Sequence, residues 1–147
     1  MSTRRDALLT INSAMTQLMR RIRRVDEAQG AGRARLSALA VLHFGGSCSL
    51  SDLAATEMVS RATMHHVVNG LEDDGLVRRS MDPEDARRQI ITLTRKGTGV
   101  ITRAHRARID YLRSVALDVS AEELAIAASV LDRLRGAAAE LADRAGS

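Results

Sequence analysis

The chain has 147 residues, of which 45% are apolar, and this is typical of one globular domain with a buried core. No apolar run approaches the roughly 20 residues that span a membrane, and the basic N-terminus lacks a signal-peptide core, so we expect a cytoplasmic protein with no membrane partner. The net charge of +4 permits a nucleic-acid partner without requiring one, and a single cysteine excludes an internal disulfide.

Both ends of the chain are predicted to be helices that carry an apolar seam. The spacing alternates between three and four residues, which places each seam on one helix face. The first seam contains Leu8, Ile11, Met15, Leu18, Ile22 and Val25, and the second contains Leu124, Ala127, Leu131, Leu134, Ala138 and Leu141. We expect residues 5–26 and 98–143 to form the helices of a dimer interface. The alternative is that both seams pack within one monomer.

After the first helix, residues 26–35 are rich in glycine and charge and are predicted to form a loop. Residues 36–44 then form a short helix that ends at two glycines. Ser49, followed by Asp52, is typical of a helix start, and the next helix buries Leu50, Leu53 and Ala54.

Ser60 is a good N-cap for a second helix close behind. The apolar stripe of this helix consists of Met64, Val67, Val68 and Leu71. Gly75 is predicted to stop the helix in a Schellman motif. Gly70, inside the helix, costs about 1 kcal/mol relative to alanine, and we interpret it as allowing close packing.

Two short strands, within residues 76–80 and 89–94, flank a turn that contains a proline and several acids. Thr94 can cap a long helix that runs to about Leu117, and Ser120 with Glu123 forms a capping box for the last helix. The predicted fold is mainly α with a small β-hairpin wing. It is a winged helix-turn-helix with N- and C-terminal dimerisation helices. We expect residues 1–147 to form one domain, with the winged part at about 36–97.

Metal binding and catalysis find little support. His65 and His66 are adjacent and diverge by about 100° around a helix, whereas His43 and His105 could meet only through the fold. Neither a nucleophile motif nor a phosphate loop is present, so we expect no enzyme, no metal and no cofactor. Cys48 is interpreted as a small structural residue rather than a redox sensor.

The ordered motifs resemble the MarR family of winged-helix transcription factors. The resemblance is carried by SLSDLA, by Leu-Glu-x-x-Gly-Leu-Val from Leu71 to Val77, by Asp85-x-Arg87, and by Leu-Thr-x-x-Gly from Leu93 to Gly97. It implies a homodimer that binds double-stranded DNA at a pseudo-palindromic operator. It also implies a small aromatic or drug-like effector, and a repressor is the role we expect. Ala86 departs from the consecutive arginines that are common at the wing tip of this family.

If the chain binds DNA as the resemblance implies, Arg61 and His65 or His66 are expected to contact base edges. Ser60 and Thr63 are expected to contact phosphates. Asn69 lies on the same polar face. Arg87 is expected in or beside the minor groove, where narrow grooves attract arginine. The remaining expected DNA contacts are Asp85, which either pairs with Arg87 or simply forms a turn, and Arg88.

Candidate effector residues are His43, Phe44, Tyr111 and Arg113, although Phe44 and Tyr111 could instead belong to the core. Between Arg61 and Lys96, seven basic residues face six acids. This near balance keeps open a second function, a winged-helix protein-interaction module that does not bind DNA.

Overall fold

A computed structural model describes residues 3–30 and 32–145 of the chain. These residues divide into two compact units, one up to Tyr111 and one from Leu112 onward. None of the described helices is both long and apolar enough to cross a bilayer. The described part contains, in chain order, α1 (Arg4–Glu27), α2 (Arg33–Gly45), β1 (Cys48–Ser49), α3 (Leu50–Thr56), α4 (Arg61–Asp73), β2 (Val77–Met81), β3 (Gln89–Leu93), α5 (Arg95–Val115) and α6 (Ala121–Ala145).

The predicted helix-turn-helix is confirmed in α3 and α4. The Ser49 hydroxyl caps α3 by accepting a hydrogen bond from the Asp52 N–H at 3.1 Å, and Ser60 caps α4 through the Thr63 N–H at 3.0 Å. Each helix turns its apolar stripe inward, and the buried residues are Leu50, Leu53, Ala54, Met64, Val68 and Leu71. Burial of these stripes fixes the rotation of α4 about its own axis and thereby decides which side chains point outward.

The end of α4 is the Schellman motif that the sequence predicts. Gly75 has a φ of 69°, the Leu76 N–H donates to the Leu71 carbonyl at 2.8 Å, and the Gly75 N–H donates to the Glu72 carbonyl at 2.8 Å. Gly97 packs against this turn so closely that an added Cβ would lie 1.9 Å from the Leu76 carbonyl oxygen. Only glycine fits there, so the start of α5 is pinned against the end of α4.

The wing is a sheet of three strands rather than a hairpin alone. β2 and β3 pair antiparallel as predicted, with Arg79 opposite Ile91, and β1 adds to the other edge of β3 through Cys48 opposite Ile91. A two-residue strand is too short to show an alternating pattern, which explains why the sequence did not predict β1. Through β1, the wing is joined directly to the start of α3.

Two details of the sequence interpretation are wrong. The predicted loop at 26–35 is shorter, because α1 continues to Glu27 and α2 begins at Arg33, while Ala31 lies outside the described residues. Asp26 is buried and pairs with Arg108 of α5 through two contacts of 2.6 and 2.7 Å. Gly70 does not serve close packing, since a Cβ there would meet nothing within 4 Å.

The terminal helices leave much of the apolar seams that the sequence places on them exposed. In α1, Leu8, Met15 and Leu18 are exposed. In α6, every residue whose burial is described is exposed, and Leu131 and Leu134 keep 48% and 44% of their accessible surface. The capping box of Ser120 and Glu123 at the start of α6 is confirmed, with bonds of 2.8 and 3.2 Å.

Candidate nucleic-acid interface

The outer face of α4 presents the polar side chains that the sequence assigns to DNA contact. Arg61, Thr63, His65 and His66 are all exposed, on the side away from the buried stripe. Ser60 is engaged as the N-cap, and its hydroxyl is hydrogen-bonded to that of Thr63 at 2.8 Å. The first turn of α4 therefore combines free backbone N–H groups with an arginine, an arrangement suited to phosphate oxygens.

Asn69 lies in a different environment from these four residues, because the wing holds it. Its Oδ1 accepts a 2.6 Å hydrogen bond from the Arg79 guanidinium, and its Nδ2 lies 3.3 Å from Nδ1 of His65. Asn69 is half-buried. The arrangement positions His65 and would have to open before Asn69 could read a base.

Arg79 joins the wing to α4, a role that the sequence analysis missed. Its guanidinium is paired with the Glu72 carboxylate, and its backbone N–H donates to Glu72 Oε1 at 3.2 Å. The side chain is only 18% exposed. Glu72 belongs to the recognised Leu-Glu-x-x-Gly-Leu-Val motif, but its partner depends on the register of β2, which no local pattern reveals.

The tip of the wing is a tight turn in which acids accept backbone hydrogen bonds. Oδ1 of Asp85 accepts from the Arg87 N–H at 3.0 Å, and Oδ1 of Asp82 accepts from the Glu84 N–H at 2.9 Å. This geometry supports the turn interpretation of Asp85. The side chain of Arg87 is left exposed at the tip.

Arg88 reaches back from the wing to α3, where it contacts Asp52 at 2.6 Å and the Ser49 hydroxyl at 3.4 Å. The hydrogen bond from Ser49, and then the Arg88 guanidinium, hold the pKa of Asp52 below its ordinary value. Arg88 is thus partly neutralised before any partner binds. It remains about half exposed.

The helix-turn-helix and the wing share one groove, which we call the wing groove. It has a volume of about 230 Å³ and is lined by Ser51 of α3, Arg61 of α4 and, from the wing, Met81, Arg87, Arg88 and Gln89. Arg61 of α4 therefore lies on one surface with Arg87 and Arg88, a neighbouring pair that is far from it in the sequence. Among the described residues, neither Arg61 nor Arg87 has an ion-pair partner.

The three effector candidates of the first unit, His43, Phe44 and Tyr111, do not gather at one place. His43 and Phe44 stack edge to face at 4.9 Å, and Phe44 also contacts His105 of α5 at 5.8 Å. Phe44 is 69% exposed, so the alternative that it belongs to the core is wrong. Tyr111 lines a separate cavity beside α1, with Arg24 and Val25. Arg113 belongs to the second unit.

Within the described part of the chain, no group of three or more His, Cys, Asp or Glu side chains could hold a metal ion. Cys48 is half-buried, and burial, followed by the charge of Asp52, raises the pKa of its thiol. A raised thiol pKa disfavours the reactive thiolate. This environment is therefore that of a structural cysteine.

Comparison with known proteins matches the MarR family model to residues 33–88 of this chain. An uncharacterised HTH-type transcriptional regulator of Bacillus subtilis, YdgJ, is 30% identical over 106 residues, which is 72% of this chain and 65% of that protein. The chain thus spans just under two thirds of that relative.

Solved structures give the same fold. The transcriptional regulator Tm0710 of Thermotoga maritima superposes with a TM-score of 0.71 at 24% identity, covering 91% of this chain and 94% of the other. Bordetella bronchiseptica BpsR, whose DNA binding is regulated by 6-hydroxynicotinic acid, superposes with a TM-score of 0.65 at 20% identity, covering 86% and 98% of the two chains.

Proposed function

Because this chain belongs to the MarR family of winged helix-turn-helix regulators, we propose that it is a transcriptional regulator that binds double-stranded DNA as a homodimer. The observation that carries the proposal is the wing groove, in which Arg61 of α4 and Arg87 of the wing tip lie on one exposed surface. Arginine offers a planar fork of donors that suits both phosphate and guanine. The cytoplasm is the expected location.

In the proposed complex, the N-terminal half of α4 enters the major groove. Arg61 and His65 or His66 contact base edges there, and a good bidentate contact contributes about 1–3 kcal/mol of discrimination against the wrong base. Ser60 and Thr63 lie against phosphates, together with the N–H groups of the first turn. Arg87 enters the neighbouring minor groove, while Arg88 contacts phosphate only if it exchanges Asp52 for the DNA backbone.

The proposal of a homodimer is supported by the apolar residues that α1 and α6 leave exposed. Leu131 and Leu134 lie on a helix that buries none of its described residues, and an unpaired seam of this kind is typical of a protein interface. Two copies related by a twofold axis would present two α4 helices. The operator should then be pseudo-palindromic, with half-sites about 10 bp apart.

We further propose that the protein represses transcription and that a small aromatic or drug-like effector releases it. The support comes from BpsR, whose DNA binding responds to 6-hydroxynicotinic acid, and from the exposed ring cluster of His43, Phe44 and His105. A planar ligand could stack on these rings. It would act only if it bound the DNA-free form more tightly than the bound form.

The second candidate, a protein-interaction module, is favoured by one observation. Three arginines of the winged part are already paired with acids, namely Arg35 with Asp74, Arg79 with Glu72 and Arg88 with Asp52. Such pairing lowers the positive charge that DNA would meet.

A gel-shift titration with the DNA upstream of the protein's own gene, at several salt concentrations, separates the two functions. Sequence-specific binding should weaken steeply with salt, because each neutralised phosphate releases counterions. Absent binding at low salt, or binding that does not depend on sequence, would favour the interaction module.

Single substitutions in the wing groove and on the outer face of α4 sharpen this test. Arg87→Ala should weaken binding to all sequences and reduce the salt slope by about one, whereas Arg61→Ala or His65→Ala should alter sequence preference. Arg106→Ala, an exposed arginine outside the groove, is the matched control. If the control behaved like Arg87→Ala, the assignment of the interface would be wrong.

A further inference from the structure

A second basic cavity lies at the opposite end of α4 from the wing groove. It has a volume of about 240 Å³ and is lined chiefly by Gln29, Arg35 of α2, Asp74 after α4, and Lys96 and Arg103 of α5. We call it the basic cavity. Three cationic side chains from two helices therefore line the cavity, together with one carboxylate.

The bonding in the basic cavity leaves hydrogen-bond donors unused. Arg35 is paired with the Asp74 carboxylate, and Lys96 donates to the Asp74 carbonyl oxygen at 2.8 Å. The Nε of Arg35 is buried and has no hydrogen-bond partner among the described residues. Arg103 makes neither a hydrogen bond nor an ion pair with any residue that the structure describes. A buried donor without a partner is costly, and an incoming acceptor would relieve that cost.

We propose that the basic cavity binds a compact, doubly charged oxyanion, either a phosphate group or a dicarboxylate. A divalent anion matches the excess of two positive charges, and the cavity holds only a small molecule. Guanidinium groups bind such oxygens through short, charge-assisted hydrogen bonds. The exposed Arg103 guanidinium supplies the first contacts, and Arg35 and Lys96 add positive charge.

An anion bound in the basic cavity would act on α4 through Arg35. The guanidinium of Arg35 donates to the Gly70 carbonyl of α4 at 3.1 Å as well as to Asp74. An anion competes with Asp74 for Arg35 and withdraws the contact that holds the last turn of α4. The pKa of Asp74 is lowered chiefly by Arg35 and further by Lys96, as expected for a carboxylate beside two positive charges.

The regulatory consequence, which rests on the proposed DNA binding, is that the anion weakens DNA affinity. By linkage, DNA must then weaken anion binding by the same factor. This cavity shares no lining residue with the ring cluster of His43, Phe44 and His105. The effects of the anion and of the proposed aromatic effector would therefore be separable by mutation.

The test is a titration of the ¹⁵N-labelled full chain, without DNA, with inorganic phosphate at pH 7.5 and constant ionic strength. Succinate forms a second arm, and acetate and chloride serve as monovalent controls. We expect saturable shifts of the Lys96 and Arg103 amides with phosphate, succinate or both, and the arm that saturates identifies the source. Arg103→Gln should weaken binding about tenfold, since it removes one charged hydrogen-bond donor.

Arg106→Gln is the matched control, because Arg106 is also exposed on α5 but does not line the cavity. It should bind the anion like the unmodified chain, and thermal melts should show that both variants are folded. Shifts that do not saturate with either dianion, or equal affinities of Arg103→Gln and the unmodified chain, would overturn the proposal.

A DNA arm distinguishes failure of this inference from failure of the proposed function. If the chain binds its operator, saturating anion should raise the dissociation constant about tenfold in the unmodified chain and much less in Arg103→Gln. Unchanged DNA affinity at saturation would overturn the regulatory consequence. If no DNA is bound at all, the proposed function fails, while the titration of the free chain still decides whether the cavity binds the anion.

Discussion

Helices α4 and α6 both carry an apolar stripe, but the chain treats the two stripes in opposite ways. In α4, the stripe is covered by the protein's own core, with Met64, Val68 and Leu71 at 2% exposure or less. In α6, no described residue is buried, and Leu131 and Leu134 keep nearly half of their accessible surface. Similar periodicity therefore does not imply similar burial within one chain.

Because only one of the two stripes is covered, α4 exposes a polar face and α6 exposes an apolar one. Because the stripe of α4 is satisfied internally, only the polar face of α4 is available to a partner, and a polar face with arginine suits nucleic acid. The stripe of α6 is not covered by the described chain, and the partner we propose for it is the same helix of a second copy. The proposed roles are therefore DNA contact for α4 and dimerisation for α6.

The largest expected effect comes from charging the α6 seam. Leu131→Asp should convert the proposed dimer into monomers or aggregates, because it would place an uncompensated charge in the proposed apolar interface, at a cost of several kcal/mol. Analytical ultracentrifugation across a range of concentrations measures this directly. Ser129→Asp, about 170° around α6 from the centre of the seam, is the control and should remain dimeric. A well-folded dimer with Leu131→Asp would show that the seam is not the interface.

The second effect tests the covered stripe. Met64→Ala should lower the free energy of unfolding by about 2–5 kcal/mol, because it deletes buried methylene groups and leaves a cavity. Urea unfolding, combined with sedimentation, should show lower stability without a change of assembly. Met81→Ala makes the same exchange at an exposed wing position and should have little effect. Equal losses of stability in the two variants would contradict the assignment of Met64 to a buried stripe.

The smallest effect concerns the end of α4. The folded chain lowers the pKa of Asp74 chiefly through Arg35, so the interaction stabilises the fold above the ordinary carboxyl pKa of about 3.9. It is lost as the pH falls through the lowered value. Asp74→Asn should therefore reduce the melting temperature slightly at pH 7, and the deficit should shrink below about pH 4.

Asp73→Asn, at the neighbouring exposed position, is the control for this comparison. Thermal melts of the three proteins at pH 7, 5 and 3 provide the measurement. A deficit of Asp74→Asn that grew on acidification would contradict the stated sign.

Much of the fold could be predicted because its signals are local. Ser49 and Ser60 cap the helices that follow them, Gly75 adopts the left-handed conformation that ends α4, and β2 and β3 are short runs on either side of a turn that contains a proline. Each signal depends on neighbours within a few positions, so no tertiary information is needed. β1 escaped prediction because two residues cannot display a period.

The candidate site was only partly predictable for the same reason. The outward face of α4 follows from its apolar stripe, so Arg61, His65 and His66 could be named. The contacts of Asn69 and Arg79 depend on how β2 packs against α4, and that packing joins residues ten positions apart. Whether Asp85 forms an ion pair or a turn was likewise undecidable from spacing.

By itself, the amino-acid sequence determined which segments are helical, which faces of them are apolar, and which polar side chains those faces leave outside. These properties follow from backbone geometry and from the periods of 3.6 and 2 residues. Only the tertiary structure decided which carboxylates take up which arginines, and where the remaining positive charge lies. Ion pairs such as Arg88 with Asp52 join residues 36 positions apart, and their formation depends on packing that no local pattern encodes.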